Sequence, residues 1–531
     1  MNGFPGLLVL ARSLSPTARQ REKFRRSWGR IGDADGWLAT RLFDLQQAGN
    51  PGALDDKSWR DLELAPLFRQ LDTTVSKPGS QYLYCQLRSF EFDSSAGRYA
   101  TYQLLARDAR LREALQLALC RLDVDSAAFI VEVLFGPPPS GLRYPRLLYT
   151  WSLCCLGALA LVVPLGLWWL LPVLLCVNGA VIYAIPSKLR RDTEALIQGP
   201  RLLAVADGLA SINAHDGSIP QLASLQAGRR KRARLRKELR WLTLLSESSA
   251  VWAGLSLAAN WFCLAQLVVY GRTVTRFMDS RAEWRSTFEL VASVDAAIAI
   301  ASFLHRMPVH CPVTVTTDPT IAISEGYHPL IACPVPNSIV LAGRSALITG
   351  SNMTGKTTFM KMVGVNIVLG HTLGFCLARS ATLPRSPVMV SVRSDQSVES
   401  GKSGYSAEVE AIAQFVRRAA AGDCRIFILD EPFRGTNTLE RIAVTKAVLD
   451  ALSADAQVLA TTHDVELQPL LADRFDFFYF REDPEVEGFF DFTVRLGTSR
   501  ERNAIRVLER MGFPPRIVSA ALSQLGKLLE R

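Results

Sequence analysis

Apolar and polar positions divide the chain into three kinds of segment. Up to about residue 146, and again from 188 to 308, charged and apolar residues alternate as they do in amphipathic helices. Between these parts, residues 147–187 contain no charged side chain. From Ser338 onward, short apolar runs such as SIVLAGRSALITG, RIFILD and QVLATT alternate with amphipathic segments. The last pattern predicts an α/β domain with a doubly wound sheet.

The uncharged stretch is long enough for two membrane-spanning helices, because about twenty apolar residues cross a bilayer. Pro164-Leu165-Gly166 supplies the break between them. Aromatic residues stand near the ends and the break, where membrane interfaces would lie: Tyr149, Trp151, Trp168, Trp169 and Tyr183. Basic residues flank both ends, which predicts that both face the cytoplasm: Arg143, Arg146, Lys188, Arg190 and Arg191. A buried, soluble helical hairpin is the alternative.

The segment ITGSNMTGKTTF, residues 348–359, follows a predicted strand and opens a predicted helix. It contains the phosphate-binding pattern G-x-x-x-x-G-K-[ST] in the context that its chemistry requires. Backbone N–H groups would bind phosphates, Lys356 would reach the β- and γ-oxygens, and Thr357 would ligate Mg²⁺. The predicted contacts of ATP are Gly350, Ser351, Asn352, Met353, Thr354, Gly355, Lys356, Thr357 and Thr358.

Two further strands end in polar side chains suited to nucleotide hydrolysis. RIFILDEP ends in Asp430, which can hold Mg²⁺, and Glu431, which can polarise the attacking water. QVLATTH places His463 at the carboxyl end of its strand, where a γ-phosphate sensor would lie in an open α/β sheet. His328 and His371 fall outside this series, and we predict packing or capping roles for them.

Four segments, in this order, resemble the ATPase domain of the MutS proteins: ITGSNMTGKTTFMK, SDQSVESGKSGYSAEVEAI, FILDEPFRGTN and LATTHDVEL. The resemblance implies that Ser403 contacts the γ-phosphate bound by the opposite subunit, and hence a composite site in a homodimer. Ser351, Thr354 and Thr357 differ from the usual residues but suit phosphate and Mg²⁺ binding. Pro432-Phe433 after the two carboxylates is less usual for the family.

The resemblance extends to both sides of the uncharged stretch. Residues 61–87 are similar to the opening of the MutS helical core, and residues 293–308 to its far end, where a lever helix returns. Canonical-length MutS proteins carry a DNA clamp in the interval between these parts. Only about sixty residues precede the core here, so the sequence does not support mismatch recognition.

A third apolar segment, residues 248–271, is diluted by Ser, Asn, Gln and Ala. A single extra crossing would place the nucleotide site outside the cell, and Glu289 and Asp295 make a compensating span after it implausible. We therefore predict that residues 248–305 form soluble helices.

Composition and charge limit the class of protein and the kinds of binding partner to be considered. Of 531 residues, 21% are charged and 49% hydrophobic, as in folded proteins of several domains. The net charge of +10 is densest in residues 229–240, RRKRARLRKELR, which favours DNA or anionic lipid as a partner unless this is only a solvated helix face. The ten cysteines show no C-x-x-C spacing, which indicates reduced, cytoplasmic thiols. No signal peptide is recognised.

We predict an α/β P-loop NTPase domain of the ABC/MutS type, preceded by an all-α core and lever domain that a transmembrane helical hairpin interrupts. The predicted parts are an N-terminal helical segment (1–60), the first half of the core (61–146), the hairpin (147–187), a basic segment with the returning lever (188–308), the ATPase domain (309–498) and a helical dimerisation element (499–531).

The resulting function is that of an inner-membrane ATPase whose catalytic domain faces the cytoplasm and whose lever helices move with the nucleotide state, with DNA as a candidate ligand. An ABC-type transport ATPase is the first alternative, although an L-S-G-G-Q signature is missing and the hairpin is small. An ATP-gated membrane tether with a lipid or protein partner is the second.

Overall fold

The structure is a computed structural model, which describes residues 16–32, 36–46, 52–92, 95–139, 145–212, 219–238, 250–351, 354–392, 404–482, 490–498 and 512–529. The chain separates into two compact units. The first comprises residues 1–51, 68–86 and 100–306, and the second comprises residues 52–67, 87–99 and 307–531. The short segments 52–67 and 87–99 thus belong with the carboxyl-terminal unit, although they lie early in the sequence.

The helices up to residue 306 form most of the first unit. They are α1 (Pro16–Ser27), α2 (Gly36–Ala39), α3 (Arg41–Gln46), α4 (Asp56–Asp61), α5 (Leu64–Leu71), α6 (Lys77–Arg88), α7 (Ser95–Arg107), α8 (Ala109–Leu119), α9 (Ile130–Phe135), α10 (Pro145–Leu165), α11 (Leu170–Ala184), α12 (Ser187–Ile197), α13 (Gly199–Ala210), α14 (Pro220–Ala227), α15 (Arg229–Glu238), α16 (Ala250–Cys263), α17 (Ala265–Asp279) and α18 (Arg281–Arg306). Two 3₁₀ helices, Cys120–Leu122 and Asp125–Phe129, precede α9.

Helix α18 is the core helix of the first unit. Its 26 residues bury Trp284, Phe288 and Phe303 almost completely. Among the described residues, α18 and the stretch Pro145–Val162 of α10 are each long and apolar enough to cross a membrane, and a bent pair of helices beginning at Leu170 makes a third candidate. Most of α18 is buried inside the unit, whereas only 17% of the α10 stretch is buried. The apolar side chains of α18 therefore belong to the core of the first unit.

Asp295 of α18 joins the two halves of the helical unit. Its carboxylate accepts hydrogen bonds from the N–H groups of Val75 and Ser76, at 2.9 and 2.7 Å, and from the Ser76 hydroxyl at 2.6 Å. These donors precede α6, some 219 residues earlier in the chain. A fully buried carboxylate needs such donors to offset its lost hydration.

Helices α10 and α11 contact each other and form a helical hairpin with an abrupt turn between them. Helix α10 ends at Leu165, and Gly166 follows with φ +63°, so the turn coincides with the predicted break. A second bend, of 99°, follows α11 at Pro186. Large apolar side chains stay exposed along both helices: Leu147, Trp151, Leu153, Leu156, Leu161, Leu165, Val173, Val177 and Val181.

The second unit contains two sheets and the remaining helices. The strands are β1 (Cys311–Thr316), β2 (Thr320–Gly326), β3 (Asn337–Ala342), β4 (Ser345–Thr349), β5 (Phe375–Cys376), β6 (Ser380–Pro384), β7 (Val388–Ser391), β8 (Ile426–Asp430), β9 (Gln457–Thr462), β10 (Phe475–Glu482) and β11 (Phe490–Leu496). The helices are α19 (Lys356–Leu373), α20 (Gly404–Ala420), α21 (Thr438–Ser453), α22 (Leu467–Leu471) and α23 (Pro515–Leu529). The strand orders are β3-β2-β6-β1-β5 and β11-β10-β4-β9-β8-β7.

The six-stranded sheet is parallel from β10 to β7, and only β11 runs antiparallel. Strands β4, β8 and β9 are buried at every residue, as expected for central strands with helices on both faces. The predicted order, in which a helical part is followed by a mixed α/β part, is thereby confirmed.

Strand β7 lies at one edge of this sheet, where helix α4 covers it. The hydroxyl oxygen of Ser58 accepts the N–H of Val390 at 2.9 Å, and the Asp61 carboxylate accepts the N–H of Val392 at 2.9 Å. Edge strands otherwise present unpaired backbone groups to solvent or to other chains. The early segment 52–67 is therefore an integral part of the α/β unit.

Titration of Asp295 gives a testable pH dependence. Burial raises the pKa of Asp295 from 3.8 to about 6, against the opposing hydrogen bonds of Ser76 and Val75. A raised pKa means that the folded chain binds the proton more tightly than the unfolded chain does. Protonation of Asp295 therefore stabilises the folded state. This contribution is complete below pH 3.8 and is lost as the pH rises through about 6.

We expect Asp295→Asn to remove this titration. The melting temperature of the wild type minus that of the variant should then fall as the pH rises from about 4 to about 7. Asp125→Asn is the control, because the side chain of Asp125 is 83% exposed. The plot of its melting temperature against pH should run parallel to that of the wild type. A difference between wild type and Asp295→Asn that does not change with pH would contradict the assignment.

Candidate nucleotide-binding site

Strand β4 leads directly into the predicted phosphate-binding loop and then into helix α19. Gly355, the residue before the helix, has φ +98°, a conformation that side-chain-bearing residues rarely adopt. A Cβ at this position would also lie 3.2 Å from the Phe492 ring. Both the backbone conformation and the lack of room for a Cβ atom therefore require glycine here. Asn352 and Met353 lie outside the described residues.

Lys356 is buried, with only 5% of its side chain exposed, and its ammonium turns back onto the loop. Nζ donates hydrogen bonds to the carbonyl oxygens of Gly350 and Ser351, at 2.9 and 2.8 Å. Burial lowers the pKa of Lys356, while Glu431 and Asp430 oppose the shift. The loop thus places a desolvated cation beside its own backbone, where an anion would be attracted strongly.

Asp430 lies at the end of β8 and accepts hydrogen bonds from two threonines. The Thr357 hydroxyl, at the start of α19, donates to Oδ2 at 2.8 Å. The Thr461 hydroxyl, on β9, donates to Oδ1 and accepts the N–H of Glu431 at 2.9 Å. The two predicted Mg²⁺ ligands, Thr357 and Asp430, are therefore in direct contact. Hydroxyl and carboxylate oxygens are suitable donors for this hard cation.

Three cationic or polar groups surround the carboxylate of Glu431. His463 Nε2 lies 2.6 Å from Oε1, Arg434 Nη1 lies 3.1 Å from Oε2, and Lys356 Nζ lies 3.8 Å from Oε1. The hydrogen bond with His463 is the main cause that lowers the pKa of Glu431, and burial opposes it. The carboxylate is thereby kept ionised and oriented at the sheet edge.

A cavity of about 360 Å³ opens beside these groups. His328 contributes to its wall, although we predicted only packing or capping for it. Its Nδ1 accepts the N–H of Leu330 at 3.4 Å, while burial lowers the pKa of His328 to about 4. Its Nε2 is buried without a protein partner. The other lining residues include Ile331, Cys333, Pro334, Val335, Asn337, Gly355, Lys356, Thr357, Thr358, Phe359, Met362, Glu431 and Phe492.

The loop after Glu431 is fixed by the unusual Phe433. Glu431 and Phe433 both have positive φ angles, +47° and +62°. The Phe433 ring is 97% buried, in a cluster with Ile412 and Phe415 of α20, and its N–H donates to Glu408 of the same helix at 2.9 Å. Burial of the ring offsets the cost of the left-handed backbone. The loop that carries Glu431 is therefore attached to helix α20.

The structure thus brings together Lys356, Thr357, Asp430, Glu431 and His463, which the sequence predicted from three separate segments. Ser403 immediately precedes α20 but lies outside the described residues. His371 is fully buried, and the rings of Phe90 and Phe92 lie 6.2 and 5.0 Å from its own, consistent with packing. Sequence reasoning missed Thr461 and Arg434, although both lie inside quoted motifs, LATTH and DEPFRGTN.

Comparison with known proteins relates the carboxyl-terminal part of the chain to one family. Residues 346–529 match the family described as MutS domain V. The chain is 27% identical over 253 residues to the DNA mismatch repair protein MutS of Thermus thermophilus and 29% identical over 256 residues to that of Natronomonas pharaonis. It is 28% identical over 264 residues to the DNA mismatch repair protein MSH3 of Phaeosphaeria nodorum.

Each of these three matches covers 46% of this chain. The same matches span 31%, 29% and 23% of the respective relatives. The matched part of the chain therefore spans less than a third of the length of these proteins.

Proposed function

Because the chain is a MutS-family protein that carries domain V in residues 346–529, we propose that it binds and hydrolyses ATP with Mg²⁺. The observation that carries the proposal is the convergence of Lys356, Thr357, Asp430 and Glu431 at one edge of a parallel sheet. These groups come from the loop before α19 and from β8, which are far apart in sequence. A purely structural ion cluster does not require the adjacent glycine-containing loop and cavity.

The residues present fit the proposed ligand. Lys356 is a buried cation bonded to two loop carbonyls, and phosphate oxygens would be stronger acceptors for its three donors. Thr357 and Asp430 would hold Mg²⁺, which supplies neutralisation of charge on the phosphate oxygens. Val335 and Phe492 give the cavity apolar walls suited to a nucleotide base.

Glu431 is proposed as the group that orients the attacking water and accepts its proton. Its position beside Asp430 places it next to the proposed metal ligands, and its ionised state leaves it able to accept a proton. His463 is proposed to hold Glu431 in this orientation and to sense the terminal phosphate, since its ring lies 2.6 Å from the carboxylate and is 35% exposed.

We propose that two copies of the chain share each site through Ser403, as the resemblance to MutS implies. Helix α20 begins at Gly404, directly after Ser403, so the serine would present its hydroxyl together with a helix N-terminus. Attachment of the Glu431 loop to α20 through Phe433 and Glu408 supports communication between the two halves of such a site.

We propose that the hairpin of α10 and α11 anchors the chain in the inner membrane, with the α/β unit in the cytoplasm. The exposed leucines, valines and tryptophans along the hairpin support this proposal, since a soluble surface would leave them in water. Basic residues at both ends of the uncharged stretch support the cytoplasmic orientation.

We further propose that α15 binds the phosphates of DNA. Arg232 is not available, because it is 97% buried and pairs with Asp207 at 3.0 Å. Arg229, Arg230 and Lys231 are exposed at the start of the helix. Three neighbouring exposed cations form a small phosphate-binding surface.

ATP hydrolysis is tested with substitutions at the site. Loss of a general base costs about 10² to 10⁴ in rate, so Glu431→Gln should bind ATP but hydrolyse it that much more slowly. Lys356→Ala should weaken ATP binding itself. Both quantities are measured on the full chain in detergent. Glu466→Gln, an exposed carboxylate after β9, is the control and should hydrolyse normally. Normal turnover in Glu431→Gln would exclude its proposed role.

The shared site is tested by mixing two inactive variants. Ser403→Ala chains combined with Lys356→Ala chains should form mixed dimers with one intact site, made of the normal loop of one chain and the normal serine of the other. ATP hydrolysis by purified mixed dimers should therefore exceed that of either parent. A site contained within one chain predicts no recovery, because each chain would carry its own defect.

DNA binding is tested by its dependence on salt. Replacing Arg229, Arg230 and Lys231 by Gln should weaken the binding of the detergent-solubilised dimer to duplex DNA and reduce the slope of log affinity against log salt by up to about three. Arg474→Gln, an exposed cation of the second unit, is the control. Unchanged DNA affinity, with weaker binding to phosphatidylglycerol vesicles, would assign the helix to lipid headgroups instead.

A further inference from the structure

Helix α16, Ala250–Cys263, packs against both helices of the uncharged hairpin. Cys263 at its carboxyl end is buried in an apolar cluster with Cys155 of α10 and Leu174 of α11. Trp261 lies over Gly179 of α11, where a Cβ would come within 3.2 Å of the indole ring. Small residues permit this close approach at helix contacts inside membranes. The third apolar segment of the sequence is therefore part of the same helical assembly.

Side chains of the hairpin satisfy the free carbonyls at the end of α16. The Ser152 hydroxyl of α10 donates to the carbonyl of Cys263 at 2.7 Å, and Asn178 Nδ2 of α11 donates to the carbonyl of Phe262 at 2.7 Å. The last carbonyls of a helix have no partner within it and usually bind water. Here side chains of the hairpin bond two of them, those of Phe262 and Cys263, as a helix end in hydrocarbon requires.

Asn178 is completely buried and has a second partner. Its Oδ1 accepts the indole N–H of Trp151 at 2.8 Å. A buried amide is strongly unfavourable in an apolar environment unless its polar atoms are paired. The three helices thus share a closed set of hydrogen bonds at their junction.

The outer surface of α16 resembles that of the hairpin. Leu257 and Trp261 are 59% and 41% exposed. Residues 248–271 carry no charged side chain. The first charge afterwards is Arg272 of α17, whose guanidinium lies 5.2 Å from the centre of the Tyr149 ring. Tyr149 lies near the end of α10 that is predicted to be at the membrane interface. The uncharged run of the third segment therefore ends at the same depth relative to the proposed membrane.

The length of α16 removes the objection that an extra crossing would misplace the α/β unit. Its 14 residues extend for about 21 Å at 1.5 Å per residue, which is shorter than a hydrocarbon core of roughly 30 Å. Leu264 then interrupts the helix with φ +54°. The prediction that residues 248–305 are soluble excluded a full crossing, and α16 is not long enough for one.

We propose that α16 is a third membrane-embedded helix, bonded to the hairpin through Ser152 and Asn178, whose Leu257 and Trp261 face contacts lipid acyl chains. This inference rests on the proposed membrane anchoring by α10 and α11. It assigns to the lipid a surface that the sequence pattern alone assigned to water.

Thiol reactivity of the full chain in native membranes tests the inference. Leu257→Cys is made in a background in which the exposed Cys154, Cys176 and Cys333 are replaced by Ala. Leu439→Cys, at an 82% exposed position of α21, is the aqueous control in the same background. A chain that retains Cys154 reports on the hairpin. Maleimide reacts with thiolates, which form poorly in hydrocarbon, and labelling of each peptide is read by mass spectrometry.

We expect positions 257 and 154 to react at least about tenfold more slowly than position 439, and all three to react fully after denaturation in sodium dodecyl sulfate. Fast labelling at 257 with slow labelling at 154 would overturn the inference and leave the hairpin anchor intact. Fast labelling at both would overturn the membrane anchoring as well.

A second measurement separates lipid from protein as the contact of α16. A nitroxide is attached at position 257 in detergent, and the chain is then reconstituted into vesicles of phosphatidylethanolamine and phosphatidylglycerol. Frequent collisions with oxygen and rare collisions with a nickel chelate would support contact with acyl chains. Rare collisions with both would indicate a protein interface and would overturn lipid as the partner.

Discussion

The parallel register of three buried strands is the constraint on which the candidate site depends. Strand β8 pairs with β9 so that Asp430 lies opposite Thr461, and β9 pairs with β4 so that Thr349 lies opposite Thr462. The carboxyl ends of all three strands consequently meet at one edge, next to the start of α19. A shift of one residue in either pair would turn Asp430 or its partner to the other face. The contact between Asp430 and Thr357 follows from this register.

Phe433 shows how an unfavourable backbone conformation is retained at the site. A left-handed φ at an aromatic residue is strained, yet the ring contributes to the apolar cluster beneath β8 and α20, whose burial outweighs that cost. The same ring and the hydrogen bond to Glu408 attach the Glu431 loop to α20. Any displacement of α20 therefore acts on the position of the Glu431 carboxylate, since the two segments share packed side chains.

In the helical unit, polar groups in apolar surroundings specify which helices pack together. Asp295 fixes α18 to the turn before α6, and Asn178 fixes α11 to α16. Apolar contacts alone are compatible with several helix arrangements of similar energy, whereas a buried carboxylate or amide is tolerated only where its donors and acceptors meet. These two residues therefore contribute more to the specificity of the arrangement than their size suggests.

The sequence by itself determined the strand-ending carboxylates, the loop from Gly350 to Thr357 and the uncharged stretch, because these are local patterns of burial and turn chemistry. It also predicted a helical part followed by an α/β part. Only the tertiary structure decided that residues 52–67 cover the edge of β7, that Thr461 joins Asp430 to Glu431, and that α16 packs on the hairpin. Each of these depends on contacts between segments distant in sequence, and hydrophobic periodicity gives which face of a segment is buried but not which segment covers it.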